Sequence, residues 1–353
     1  DEVSLRYGLG LSLGYDQLQG YMRRKGYTPE NLRDCGLVNG DQMWDAFAGR
    51  IIVPICNAMN EVIAFGGRIY HGEKDTAKYK NSTNTLLFDK SRTIYGVNYV
   101  KKEKKENGGF KELILVEGYM DVISLGAAGI RNAVAGMGTA LTAGQAQELK
   151  RLVPSIYVCY DGDNAGRTAA IRNIDTLASV GLDVRVVSLE DGLDPDDTVK
   201  KEGYEGFMAR LKAALPVVDY KLKLCADACD LGSVNGRAKY VTAACDVLKT
   251  IDSPAEREVY LTVVAEKSGI SVEALSEDIN KDVRGGASTE ATRTEKEAKS
   301  LLASRFVLNR ILNNADYTDV DQVKSDWLPH PTHQMIFEFA QSCKRQGIVI
   351  GDM

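Results

Sequence analysis

Three short apolar runs in this chain end in carboxylates. Leu113–Val116 runs into Glu117-Gly118, and Ser155–Tyr160 into Asp161-Gly162-Asp163. Leu182–Leu189 is followed, after Glu190–Leu193, by Asp194-Pro195-Asp196-Asp197. Runs this short, rich in β-branched and aromatic residues, are expected of buried parallel strands. Ligands of open α/β sheets gather at the carboxyl ends of such strands. Acids brought together there repel one another unless a cation sits between them, and Mg²⁺ is the usual one. Two such ions about 4 Å apart stabilise the attacking and leaving oxygens of an in-line displacement. Gly118 and Gly162 leave room for phosphates to approach the backbone, and an extended Asp-x-Asp turns both carboxylates the same way. The pattern points to metal-dependent phosphoryl chemistry.

The elements that must position these acids follow from the spacing. Strands at 113–116, 132–135, 155–160 and 183–188 alternate with helices at 120–128, 142–151 and 165–180. That alternation means βαβ units and a parallel sheet flanked by helices, an α/β fold. Thr142 is expected to cap the second helix. Upstream, residues 1–110 read as a mixed α+β subdomain. Thr28 and Pro29 mark a helix start. Arg50–Ile55 and Val62–Phe65 form a hairpin whose first strand Pro54 places toward an edge. Asn107–Lys111, with Gly108-Gly109, is a hinge into the catalytic subdomain 111–215. Residues 216–283 have helical apolar spacing, 284–294 read as a polar glycine-bearing linker, and 295–353 as a partial helical region.

Composition bounds the partners. The chain has 353 residues, 44% hydrophobic and 26% charged, enough for two or three domains of an ordinary globular protein. No apolar stretch approaches the roughly 20 residues of a membrane span, and the first residues lack the basic and apolar segments of a signal peptide. The chain starts at Asp1 without an initiator Met, as a fragment would. Its seven scattered cysteines form no CxxC pair and suit a reducing cytoplasm. His330 and His333 have no companions at zinc-site spacing. Net charge is −5, yet Arg68–Lys111 carries 11 Lys/Arg against 5 Asp/Glu. A basic face opposite an acidic, metal-loaded one is expected. No P-loop signature occurs.

Several motifs are more specific than these patterns. They are Val116-Glu117-Gly118-Tyr119-Met120-Asp121-Val122, the Gly138-Thr139 turn, Tyr160-Asp161-Gly162-Asp163 with Ala165-Gly166-Arg167, and Asp194-Pro195-Asp196. Upstream come Arg50–Pro54, Phe65-Gly66-Gly67-Arg68, Lys78-Tyr79 with Asn81-Ser82, and Phe88, Lys90 and Arg92. Over residues 5–280 the chain resembles the Toprim fold, and within it the polymerase core of the DnaG-type bacterial replicative primase. The resemblance implies templated synthesis of short RNA primers on single-stranded DNA during replication, by nucleotidyl transfer dependent on two or more Mg²⁺ or Mn²⁺ ions. Glu117 would organise the metal and is a candidate proton acceptor. Asp161, Asp163, Asp194 and Asp196 would complete the metal site. Arg50, Arg68, Lys78, Lys90 and Arg92 would hold nucleoside triphosphate and template backbone, since phosphate contacts position without reading sequence. Tyr119 and Tyr79 would contact base or sugar, or else pack in the core. Asp121 starts a helix, where capping serves as well as ligation, so it stays outside the metal set with Asp197.

The implied partners are the DNA template, NTPs, the RNA–DNA hybrid product and the replicative helicase, with single-stranded-DNA-binding protein a further candidate. The implied location is the cytoplasm, at the nucleoid and replication fork. Residues 295–353 resemble the start of the helicase-interacting domain. The family's N-terminal zinc ribbon has no counterpart here, so no zinc site is expected and the chain is expected to begin after it. Two other readings compete. A Toprim nuclease or topoisomerase would cut DNA, but no strand-cleaving tyrosine is evident after residue 216. A non-enzymatic recombination mediator or replisome adaptor need not fill every metal position, yet here all are filled.

Overall fold

A hairpin organises the N-terminal part of the computed structural model, which describes residues 2–12, 14–39, 43–70, 77–138, 140–286, 308, 328 and 331–346. The chain divides into two compact units, 1–224 and 225–353. The first opens with α1 (Glu2–Tyr7), β1 (Gly10–Ser12), α2 (Gln17–Arg24), α3 (Pro29–Asp34) and the ribbon β2 (Val38–Asn39) with β3 (Trp44–Asp45). Thr28 caps α3 as its sequence predicts, its hydroxyl accepting from Asn31 N–H. The hairpin strands β4 (Arg50–Cys56) and β5 (Val62–Ile69) pair antiparallel, with β1 and β6 (Tyr79–Asn81) outside them.

Pro54 does not put its strand at an edge, because β4 lies between β1 and β5. Pairing with β1 stops at Gly10↔Ile52, two residues short of Pro54. Opposite Pro54, Phe65 turns its N–H and C=O to Ser82 on the β6 side. By antiparallel alternation the Pro54 nitrogen then faces the side where the ladder has ended, so its missing donor is not needed.

After α4 (Val97–Asn107) the chain builds the expected βαβ units: β7 (Glu112–Val116), α5 (Tyr119–Ala127), β8 (Ala133–Ala135), α6 (Ala143–Leu152), β9 (Ser155–Val158), α7 (Asn164–Ser179) and β10 (Asp183–Val186). Then follow α8 (Pro195–Lys212), β11 (Leu215–Pro216) and α9 (Val217–Asp227). The sheet order is β11-β10-β9-β7-β8, parallel except for the short edge strand β11. Leu113, Ile114, Leu115 and Val116 are all fully buried. Ile114 and Val116 share one core with Val122, Leu125 and Phe207, while Leu113 and Leu115 share another with Leu149, Ile156 and Ile174. Burial on both faces explains why the run is continuously apolar rather than alternating.

The hairpin sheet packs against this sheet within the same unit. Val53, Ile55 and Ala64 join the core of Ile114 and Val116. The Tyr119 ring lies so close to Gly66 that a Cβ there would sit 2.6 Å from it. The Lys90–Thr93 loop is tied to the start of α6: Thr142 donates to Ser91 O at 2.7 Å, and Gln145 to Thr93 O at 2.8 Å.

In the second unit, α10 (Val234–Lys249), α11 (Pro254–Ser268) and α12 (Val272–Gly286) bury Tyr240, Ala244, Leu248, Val264 and Leu275. Ser233 and Ser253 cap α10 and α11. A final helix, α13, spans Pro331–Gln346. Of the linker expected at 284–294, residues 284–286 end α12 and the rest lie outside the described residues, as do His330 and 295–312 apart from Leu308. Among the described residues no helix is long and apolar enough to cross a membrane.

The Gly66–Tyr119 contact makes a stability prediction. Gly66→Ala should destabilise the protein by about 1–3 kcal/mol through overpacking. Urea unfolding measures this, and an unchanged midpoint would contradict the packing described.

Candidate metal and nucleotide site

The acids lie where the parallel strands end. Glu117 directly follows β7, and Asp161 follows β9 by three residues. Asp161 N–H donates to Glu117 Oε1 at 3.1 Å, pinning one carboxylate to the other's backbone. Gly166 allows this approach: a Cβ there would lie 2.4 Å from Asp161 O and 2.9 Å from Glu117 Oε1. Gly162 N–H donates to Leu193 O at 2.9 Å, and a Cβ on Gly162 would lie 2.1 Å from Glu190 O. The loops after β9 and β10 are thereby locked together.

Two of the expected ligands have a second task. Asp163 caps α7, accepting from Gly166 N–H at 2.7 Å, and Asp194 caps α8, accepting from Asp197 N–H at 2.6 Å. Capping engages one oxygen of each carboxylate and fixes its orientation. Ligand oxygens of Asp194, Asp196 and Asp197 all lie within 4.8 Å of one another. Asp196 accepts from Lys200 at 2.6 Å through Oδ2, while its buried Oδ1 has no hydrogen-bond partner. The five acids expected to share a site therefore fall into two neighbouring groups. Asp197, left out on sequence grounds, belongs with Asp194 and Asp196. Asp121 caps α5 by accepting from Gly118 N–H at 3.0 Å.

The electrostatics follow from burial and from the crowding of acids at one sheet edge. Burial pushes Asp161 up to about 7, helped by the charges of Glu117, Asp194, Asp163 and Asp197. Burial likewise raises Asp121 to about 7; the Gly118 hydrogen bond opposes this, and Asp194 and Asp161 add to it. Glu117 is raised by burial and by Asp163, against the Asp161 N–H bond. Burial also pushes Asp196 upward, yet hydrogen bonds from Lys200 and Ser124 and the nearby Lys200 and Arg68 charges hold it below the ordinary range. Hard oxygen donors, mutual repulsion and an unpartnered buried carboxylate oxygen fit a divalent cation.

The basic side is less uniform than expected. A cavity of about 300 Å³ is lined by Lys78, Tyr79 and Asn81 from the first sheet and by Glu117, Asp121, Asp161 and Asp194 from the second. Arg68 and Lys78 lie 5.9 and 5.4 Å from the Tyr79 ring centre. Arg50 is not a free phosphate ligand. It is 5% exposed, and its guanidinium donates to the carbonyls of Gly67, Ala77 and Lys78. Lys90 and Arg92 sit on the loop docked to α6 and do not line this cavity. Tyr119 is 5% exposed and packs edge-on against Tyr79, which is 42% exposed. Asn81, with a buried and unpartnered Oδ1, belongs to the cavity, a role its place in the Lys78-Tyr79 motif did not by itself assign.

A parallel sheet with acidic loops at its carboxyl edge defines a Toprim protein, and residues 114–199 match the Toprim-like family. Residues 1–101 match the N-terminal domain of the DNA primase catalytic core, and 218–273 match the DnaB-helicase binding domain of primase. The helicase-binding match falls on the helices that follow the Toprim sheet in the chain. The DNA primase of Clostridium acetobutylicum is 33% identical over 346 residues, covering 94% of this chain and 57% of that protein. A DNA primase domain from Pseudomonas aeruginosa is 34% identical, with 79% of this chain and 88% of that one covered and a TM-score of 0.63. The DnaG primase catalytic domain bound to ssDNA is 35% identical, with 77% and 86% covered and a TM-score of 0.63. The chain belongs to the DnaG-type DNA primase family and carries its catalytic core. It spans little more than half the length of its clostridial relative.

The raised Asp161 sets a pH dependence. Between its ordinary 3.8 and about 7 the folded protein holds a proton that the unfolded chain releases. Metal-free stability should therefore fall as pH rises through that window and level off above it. Asp161→Asn removes this contribution, so its Tm should exceed that of the wild type at pH 8 and converge with it toward pH 4. An equal difference at both pH values would contradict the repulsion described.

Proposed function

We propose that the protein makes short RNA primers on single-stranded DNA by metal-dependent nucleotidyl transfer. The observation that carries this reading is the cavity with acids on one wall and Lys78 and Tyr79 on the other. The 3′-hydroxyl of one nucleotide attacks the α-phosphate of the next, an O3′–P bond forms, and the bond to the β-phosphate breaks to release pyrophosphate. Glu117, raised by burial, accepts the hydroxyl proton. Asp194, Asp196 and Asp197, with Glu117 and Asp161, hold Mg²⁺ or Mn²⁺, which supplies positive charge for the phosphates. Lys78 and Arg68 bind triphosphate oxygens, and Arg50 orients them by holding the backbone of Gly67 and Lys78. Lys90 and Arg92 contact template phosphates beyond the cavity. Asp163 positions the Asp161 loop by capping α7.

The ssDNA-bound structure of a related catalytic domain supports the choice of template. The helicase-binding match supports docking of residues 218–273 on the replicative helicase, and with it a cytoplasmic location at the replication fork. NTP substrates follow from the proposed chemistry.

A primer-synthesis assay with labelled NTPs, ssDNA and Mg²⁺ or Mn²⁺, with and without a zinc-binding domain added in trans, tests this. The wild type should yield short RNA, and Asp161→Ala none. Glu117→Gln, nearly isosteric at the sheet rim, should fold normally and lose about 10²–10⁴-fold in rate. Metal-dependent cutting of DNA without RNA synthesis would move the reading to a Toprim nuclease or topoisomerase. Lys90→Ala should reduce the salt dependence of ssDNA binding by about one unit of slope. An unchanged slope would remove Lys90 from the template contacts.

A further inference from the structure

A second cavity, about 270 Å³, opens on the other side of Glu117. Glu117, Gly136 and Gly138 line both cavities, so the carboxylate stands at the divide of a two-lobed cleft. The lobes differ in charge. The first contains Asp121, Asp161 and Asp194 beside Lys78. Among the described residues the second has Glu117 as its one acid and Arg172 as its one cation, with Ala140, Tyr160 and Ala169 as walls. Those walls are fixed: Asn173 accepts from Leu141 N–H at 3.0 Å and donates to the Tyr160 hydroxyl. Arg172 lies on α7 three residues after Ala169, hence on the same helical face. Among the described residues its guanidinium has no ion pair.

Resting on the polymerase reading above, we infer that this second lobe seats the nucleotide that supplies the 3′-hydroxyl, with Arg172 binding its 5′-phosphate. Nucleotidyl transfer needs two nucleotides side by side, the attacking oxygen about 3 Å from the α-phosphate. The acid-rich lobe suits a triphosphate carried with divalent metal. A lobe with a single cation suits one phosphate without metal, and a guanidinium is the group of choice for holding it bidentately. Glu117 between the lobes then faces the hydroxyl that loses its proton. The volume is near the roughly 300 Å³ lower limit of ligand pockets, room for one nucleotide and not for a duplex.

The test starts synthesis on a ssDNA template with either a nucleoside or its 5′-monophosphate as the unlabelled initiator, and a labelled NTP as the second nucleotide. With the wild type the monophosphate should show a KM about tenfold lower than the nucleoside, the value of one charge-assisted phosphate contact. Arg172→Ala and Arg172→Gln should abolish that advantage while leaving the KM of the incoming NTP unchanged, and Arg172→Lys should restore part of it. Thermal melting confirms that each variant is folded. If the advantage persists in both folded variants, or the KM of the incoming NTP rises instead, Arg172 does not bind the initiator and the inference fails. If the wild type makes no RNA from either initiator, the polymerase reading itself fails.

Discussion

Carboxylates that repel one another are held together here by a sheet that leaves them no choice. β7 and β9 are adjacent and parallel, so Glu117 and the Asp161 loop emerge side by side at the same edge. β7 is buried on both faces, and shifting it to relieve the repulsion would disturb both cores. Burial then raises the cost of each negative charge, which is why Asp161 and Asp121 both rise to about 7. The rest of the site depends on this conflict between packing and charge, which a divalent cation would resolve.

Local backbone geometry sharpens the arrangement. Gly162 lets the loops after β9 and β10 approach, and Gly166 lets the start of α7 approach Asp161 and Glu117, at distances no side chain would permit. Helix caps then fix Asp163 and Asp194 through one oxygen each, and Asp194 offers a ligand oxygen within 4.8 Å of those of Asp196 and Asp197. Across the cleft, buried Arg50 is a positioning residue: by holding the carbonyls of Gly67, Ala77 and Lys78 it sets where Lys78 and Tyr79 face the acids. The basic wall is therefore a small sheet braced from behind by one guanidinium.

Much of this was legible in the sequence because local signals and tertiary packing agree. The doubly buried run at 113–116, the short apolar strand at 155–158, and the Thr28 and Thr142 caps are written in residue types that have few other uses. Other features depend on neighbours distant in sequence. Pro54 reads as an edge residue until one knows that β1 ends before reaching it. Arg50 reads as a phosphate ligand until the carbonyls around it are placed. Asp197 follows the motif's acids directly, but only the turn into α8 brings its carboxylate beside theirs. Asn81 lies three residues from Lys78, and only the β5–β6 pairing directs it into the cleft wall.

The acid cluster fits a divalent cation, and Asp161 and Asp121, both near 7, would give up protons when one binds. Calorimetric titration of Mn²⁺ into metal-free protein, repeated in buffers of different ionisation enthalpy, measures the protons displaced on binding. The account predicts proton release near pH 7 that fades above about pH 9, because groups near 7 are then already ionised. Mn²⁺ binding with no proton release at pH 7, or no binding at all, would contradict it.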